Sequence, residues 1–148
     1  DTAAFSVAQK LLHKAAIALR KMDGWAQGVH LSIRYVDRSK WSEEVRIHEC
    51  QDTFTLNRIL KELWVKRKPG VPMKLSVTLF NLISTDEKTL SFFDNQKQIN
   101  LSHAMDQLNL KYGKNLIYLA GMHTSKKSAP TRIAFQNIPD FSIDDDKE

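Results

Sequence analysis

The feature that most constrains this chain is a strict alternation of apolar and polar residues in three separate stretches. In residues 29–35, 44–48 and 73–79 every second side chain is apolar, and each residue between them is polar or charged. A period of two places neighbouring side chains on opposite faces of a β-strand. The three stretches therefore predict a sheet with one apolar face for a core and one polar face for water or a ligand.

Two amphipathic helices accompany these strands. Apolar residues recur at helical spacing from Ala3 to Met22, and a second stripe follows Asp52 or Thr53, either of which can cap a helix. A polar, turn-like link over residues 37–41 joins the first two strands into a hairpin. The order helix, hairpin, helix, strand predicts an α+β fold: an antiparallel sheet with two helices packed on one face.

The rest of the chain predicts a smaller extension. Asn100 or Ser102 can cap a third helix that ends at Gly113. Its predicted inward face is apolar and consists of Leu101, Ala104, Met105, Leu108 and Tyr112. Residues 116–120 and 132–135 predict short strands, and the acidic residues 142–148 predict a disordered tail. The expected organisation is a sheet domain over residues 1–83, a linker over 84–98, an extension over 99–141 and the tail.

The charge of the chain points to an anionic partner. The formal net charge is +5 with a pI near 9.4, and the basic surplus lies in the first 84 residues, with the predicted strands. Arg34, Arg46 and Lys74 give each strand one cation on its polar side, with hydroxyl groups between them. Such a face suits a phosphate backbone, while a merely solvated sheet face is the alternative.

Patterns typical of enzymes and membrane proteins are missing from the sequence. The five histidines show no His-x-x-x-His spacing, Cys50 is the only cysteine, and the glycines occur singly, so no metal motif and no phosphate-cradling loop is predicted. No apolar run is long enough to cross a bilayer. A lone cysteine favours a reducing compartment, so we expect a cytoplasmic protein without membrane partners. Because the chain opens on helix without an initiator Met, we expect a segment of a longer polypeptide.

Several strings of the sequence resemble one protein family. The hairpin "VHLSIRYVD...VRIHEC", the helix "TLNRILKELW" and the strand "MKLSVTLFNL" resemble the little-finger domain of Y-family translesion DNA polymerases, the DinB and ImpB/MucB/SamB group, over residues 3–83. The strings "TLSFFDN" and "LSHAMDQLNLKYGKNLIYLAG" resemble the C-terminal extension of the UmuC-type branch. The resemblance therefore points to one branch of bacterial lesion-bypass polymerases.

This resemblance implies a function in DNA repair. The family's little finger is a non-sequence-specific accessory domain that grips the backbone of template-primer DNA during lesion bypass in the SOS response to DNA damage. The catalytic carboxylates and their Mg²⁺ belong to a palm domain that this chain does not represent, so no catalytic residue and no cofactor is expected here. The DNA-contacting positions of the family fall on Ser32, Arg34, Arg46, His48, Lys74, Ser76 and Thr78.

The resemblance also implies a contact with a sliding clamp. The family's clamp-binding peptide falls on residues 89–93, where Leu90, Phe92 and Phe93 would enter an apolar pocket. The alternative is that these side chains pin the linker to the domain's own core. The family's sheet has a further strand before its first helix, and residues 116–120 are a candidate to take its place.

Two other functions stay open at this point. Two helices on one side of an antiparallel sheet also describe an RRM-like RNA-binding module, which stacks bases on aromatic side chains of its central strands. Only Phe80 could project from the polar side in that way. The third function is a protein-interaction domain that recruits the clamp or accessory subunits of the polymerase.

Overall fold

The computed structural model describes residues 2–89, 94–113 and 116–125. Four helices and strands come first along the chain: α1 (Thr2–Lys21), β1 (Gly24–Tyr35), β2 (Lys40–Cys50) and α2 (Thr53–Lys66). They are followed by β3 (Pro72–Phe80), the two-residue β4 (Ile83–Ser84) and α3 (Gln96–Tyr112). Two 3₁₀ turns, Thr85–Glu87 and Ala120–Ser125, complete the described elements.

The sheet is antiparallel, with β1 between β2 and β3. β4 pairs with the first residues of β1, where Gly24 lies opposite Ser84. The side chains of Val29, Leu31 and Ile33 are fully buried on one face of β1, against apolar residues of α1 and α2. This arrangement confirms the predicted α+β fold with both helices on the same face.

The start of α2 follows directly from the sequence. Asp52 has extended backbone angles, and its Oδ1 accepts a hydrogen bond from the Thr55 N–H at 2.8 Å, which satisfies one of the unpaired donors of the first turn. The helix then buries Leu56, Leu60 and Leu63 against the sheet. The predicted cap and the predicted inward stripe are both confirmed.

α3 differs from its prediction at the N-terminus and in the face that it buries. Asn95, not Asn100 or Ser102, caps the helix by accepting the Gln98 N–H at 3.2 Å. The face that packs inward consists of Ile99, Ser102, Met105 and Asn109. Of the apolar face predicted from the sequence only Met105 is buried, whereas Leu101, Ala104, Leu108 and Tyr112 are exposed. α3 instead packs through a face on which two apolar residues, Ile99 and Met105, alternate with the polar Ser102 and Asn109.

The strand predicted over residues 116–120 is wrong. Residues 116–119 form no strand, and Ala120 begins a 3₁₀ turn. The side chain of Asn109 bonds both backbone groups of Ile117, accepting its N–H and donating to its carbonyl at 2.9 Å each. Because these groups are already bonded to α3, they do not pair with a sheet. The strand and the tail predicted further on, at 132–135 and 142–148, lie outside the described residues.

Candidate nucleic-acid interface

The polar face of the sheet lies opposite α1 and α2, and we call it the open face. The strand register arranges its side chains in four rows across β2, β1 and β3. From the hairpin end they are Lys40, Arg34 and Lys74; Ser42, Ser32 and Ser76; Glu44, His30 and Thr78; and Arg46, Gly28 and Phe80. The open face therefore has a chemical polarity along the strands.

The first of these rows, the cationic row, places three positive charges side by side. Lys40 and Lys74 both pair with Arg34, one from each neighbouring strand, and all three side chains are exposed. Adjacent strands lie about 4.8 Å apart, so the three charged groups are close enough to contact the same anion. Within the described part of the chain none of them forms an ion pair. Such a row has a strong local positive potential and attracts an anion.

The next row, the serine row, provides three hydroxyl groups beside the cations. Ser32 lies opposite Ser42 on one side and Ser76 on the other. Together with His30 and Thr78, Ser32 and Ser76 and the cationic row line a shallow concavity of about 310 Å³. Hydroxyl groups can donate hydrogen bonds to phosphate oxygens without regard to base sequence. The concavity thus combines charge and hydrogen-bond donors on one surface.

Not all of the residues predicted from the sequence lie in this concavity. Ser32, Arg34, Lys74, Ser76 and Thr78 line it together. His48 and Arg46 are exposed on the outer strand β2, further from the hairpin.

The pattern of one cation on each strand indicated that Arg46 would lie beside Arg34 and Lys74. In the structure Arg46 is not their neighbour. It lies opposite Gly28, about 20 Å along the strand direction from the cationic row at ~3.4 Å per residue. Glu44 lies between Arg46 and the serine row. The hairpin register brings Lys40, not Arg46, next to Arg34.

Lys40 and His30 are the site residues that the sequence reasoning missed. The sequence pattern places Lys40 in the link over residues 37–41, but the turn is shorter and β2 already begins at Lys40. Asp37 Oδ1 accepts hydrogen bonds from the N–H and the hydroxyl of Ser39, at 2.8 and 2.6 Å. These bonds hold the pKa of Asp37 below its usual value. The Asp-x-Ser signal of a tight turn was present in the sequence and could have given the register.

The residues that flank the predicted clamp-binding peptide, Lys88 and Asp94, are held together. Lys88 forms an ion pair with Asp94, lies 3.9 Å from a carboxylate oxygen of Glu49, and places its ammonium 4.4 Å from the centre of the Trp25 ring. The Thr89 N–H also donates to Glu49, at 2.9 Å. Leu90, Phe92 and Phe93 themselves lie outside the described residues.

Nucleophilic and metal chemistry find little support in the described residues. Burial, and secondarily the Asp52 carboxylate, raise the pKa of the Cys50 thiol to about 12, so its reactive thiolate form is scarce near neutral pH. Among residues 2–89, 94–113 and 116–125 no group of three or more potential metal ligands comes together. The helices of this part of the chain include none with the length and apolar character needed to cross a membrane.

The comparisons with known proteins identify the family. The model of the impB/mucB/samB family C-terminal domain matches residues 2–92, which is more than half of the chain and includes the whole sheet with α1 and α2. Neither the curated proteins nor the solved structures contain a significant match. The chain therefore belongs to the impB/mucB/samB family and carries the C-terminal domain of a Y-family translesion DNA polymerase of the UmuC branch.

Proposed function

We propose that the open face binds the sugar-phosphate backbone of template-primer DNA and so holds the polymerase on its substrate during lesion bypass. The observation that carries this proposal is the cationic row standing directly beside the serine row. Arg34 can bond two phosphate oxygens at once, and Lys40 and Lys74 add charge on either side. The seryl hydroxyl groups then fix the position of the backbone without reading bases, as a polymerase on damaged templates requires.

The binding is expected to depend strongly on salt. If each cation of the row neutralises one phosphate, the slope of log K against log salt is about −2.7 for duplex DNA. Affinity then falls about 40-fold between 50 and 200 mM salt. Because Glu44 adds a negative charge between the serine row and Arg46, this slope counts only the three cations of the cationic row.

The test measures the affinity of the 148-residue chain for a fluorescent primer-template by anisotropy across this salt range. A triple variant with Arg34→Ala, Lys40→Ala and Lys74→Ala is expected to lose at least about tenfold in affinity at 50 mM salt and most of the salt slope. The matched control changes Lys21, Lys61 and Lys97 to Ala, since these exposed lysines lie on the three helices. Equal losses in the two triple variants would show that only net charge matters and would refute the proposed site.

The same assay separates DNA from RNA as the ligand. On the central strand β1 the open face carries Gly28, His30, Ser32 and Arg34, and among these only the His30 imidazole could stack on a base. An RRM-like module stacks bases on aromatic residues of its central strands, so this composition favours backbone binding. Tighter binding of single-stranded RNA than of primer-template in direct competition would favour the RNA-binding alternative instead.

We propose in addition that Leu90, Phe92 and Phe93 dock on a bacterial sliding clamp. The support is the pairing of Lys88 with Asp94, which brings together the residues on either side of the peptide and so limits the entropy that binding costs. Capture of the chain by an immobilised clamp is expected to fall at least about tenfold in Phe92→Ala and Phe93→Ala, because such anchors supply most of the affinity. Undiminished capture in both variants would refute this contact, while DNA binding should be unchanged in either case.

A further inference from the structure

The open face ends in an aromatic side chain that backbone binding does not explain. Phe80 stands in the last row, opposite Gly28, and carries the only phenyl ring in the four described rows. Its side chain is partly exposed. A ring on an otherwise polar surface requires a reason, either within the fold or in a ligand.

The ring of Phe80 lies flat on the sheet. A Cβ atom placed on Gly28 would be 2.2 Å from Cζ of the ring, 2.4 Å from Cε2 and 2.5 Å from Cε1. Three nearly equal distances arise when the Cβ position lies above the plane of the ring, whereas an edge-on ring would bring one atom much closer than the other two. One face of the ring therefore covers the glycine backbone, and the opposite face is turned away from the sheet.

A cation shares this end of the face with the ring. Arg46 pairs with Gly28 from the other neighbouring strand, so the glycine lies between the arginine and the ring. An outward aromatic face next to an arginine is the combination that single-stranded nucleic acid recognises, by base stacking on the ring and by contact of the phosphate with the cation. Duplex DNA keeps its bases stacked on one another, so it cannot use the ring.

The distance between the two ends fits one strand of nucleic acid passing over both. The cationic row and Phe80 are about 20 Å apart along the strands. At about 3.4 Å per nucleotide, this corresponds to roughly six nucleotides. A duplex held at the cationic row can thus place an unpaired base at Phe80.

We infer that Phe80 and Arg46 form a stacking site for an unpaired nucleobase, which makes the open face selective for a junction of duplex and single strand. This inference rests on the proposed function, because the duplex must first be held at the cationic row. The competing explanation is that the ring only fills the space above Gly28 and contributes to the sheet alone.

The test compares three forms of one DNA with the full chain: a blunt duplex, the same duplex with a single-stranded overhang of about ten nucleotides, and that overhang built from abasic residues. We expect the parent chain to bind the normal overhang about tenfold more tightly than the blunt or abasic forms. Phe80→Leu is expected to remove this advantage and to leave the affinity for blunt duplex unchanged. Phe80→Tyr keeps the ring and is expected to retain the advantage.

Controls separate the site from the fold and from the proposed function. Phe54→Leu makes the same chemical change on α2, in the helix layer, and is expected to leave all three affinities unchanged. Equal binding of normal and abasic overhangs by the parent chain would overturn the stacking site, and this measurement needs no variant that folds. If the advantage is absent but the cationic-row variant still loses duplex affinity, the stacking site fails and the proposed backbone binding stands.

Discussion

The two helices that cover the sheet and the third helix that packs on them are held in different ways. α1 and α2 meet the sheet through apolar side chains that are fully buried, such as Leu12 and Leu60. α3 buries only two apolar residues, Ile99 and Met105, and is joined to the same body mainly by a group of polar residues that we call the docking network: Arg20, Gln51, Thr53, Ser102, His103 and Asp106. The contrast shows where a sequence pattern predicts packing and where it does not.

The docking network is centred on Arg20 of α1, whose side chain is only 2% exposed. Its guanidinium forms two bonds to the Asp106 carboxylate of α3, at 2.5 and 2.8 Å. Nη1 also donates to the Gln51 carbonyl and to the Thr53 hydroxyl, both at 2.8 Å. Since most of its donors are bonded, the buried cation is tolerated only while these partners stay in place.

Two further contacts continue the network between α3 and the residues before α2. Ser102 accepts the Thr53 N–H at 3.3 Å, and His103 bonds the side chain of Gln51 at 2.8 Å. Gln51 in turn donates to the Gly24 carbonyl. Apolar packing tolerates changes of shape, but hydrogen bonds need each atom in its place. α3 is therefore fixed in one orientation by residues that a search for an apolar stripe would overlook.

The largest expected loss of stability concerns the apolar contact between α2 and the sheet. Leu60→Ala removes a fully buried side chain between α2 and the sheet, and we expect the free energy of unfolding to fall by about 4 kcal/mol. Leu101→Ala is the matched control, because Leu101 is 48% exposed although the sequence pattern placed it in the interface. It should change the free energy of unfolding by less than about 0.5 kcal/mol. Urea unfolding measures both, and similar losses would contradict the described packing of α3.

A change in the docking network is expected to cause a somewhat smaller loss in the free energy of unfolding. Asp106→Ala leaves the Arg20 cation buried without its carboxylate, and the expected cost is about 3 kcal/mol. The double variant with Arg20→Met and Asp106→Leu removes both charges together and should recover part of that loss, because no charge stays buried although the Gln51 carbonyl and the Thr53 hydroxyl lose their donor. Urea unfolding checks this comparison as well. A double variant as unstable as Asp106→Ala would contradict the buried charge as the main cause of the loss and would assign it to the bonds of Arg20 with Gln51 and Thr53.

Acid is expected to weaken the region around Arg20 through His13. This residue of α1 is buried, and neither ring nitrogen has a hydrogen-bond partner in the described part of the chain. Burial and the Arg20 charge lower its pKa to about 4, an effect that Asp106 partly offsets. The unfolded chain therefore binds the proton more readily than the folded chain between pH 6.5 and 4, so stability is lost as the pH falls through this window.

Between pH 6.5 and pH 5 the titration of His13 is expected to lower the free energy of unfolding by about 2 kcal/mol. His13→Leu removes the titrating group, so the variant should lose less stability than the parent chain over the same window. Unfolding curves of both proteins at several pH values measure the difference. If the two proteins lose stability in parallel, His13 does not titrate as its surroundings imply.

On the open face, too, the sequence pattern predicts some features and not others. Alternation alone correctly assigned Ser32, Arg34 and Lys74 to one side of the sheet, because the period of two is a property of the local backbone. Alternation did not predict which cations lie side by side on neighbouring strands. That depends on the hairpin register, which the turn at Asp37 and Ser39 sets and which brings Lys40 to Arg34 while moving Arg46 away.

The sequence by itself determined the fold class, the helices α1 and α2, and which side of each strand faces the core, since periodicity and capping act over a few neighbouring residues. Only the tertiary structure decided how Lys40, Arg34 and Lys74 line up, how the ring of Phe80 lies on Gly28, and which face of α3 is buried. These outcomes depend on contacts between residues far apart in the chain, such as Arg20 and Asp106. The periodicity of the sequence shows which residues share a face of a helix or strand. Which other element packs against that face depends on the whole fold.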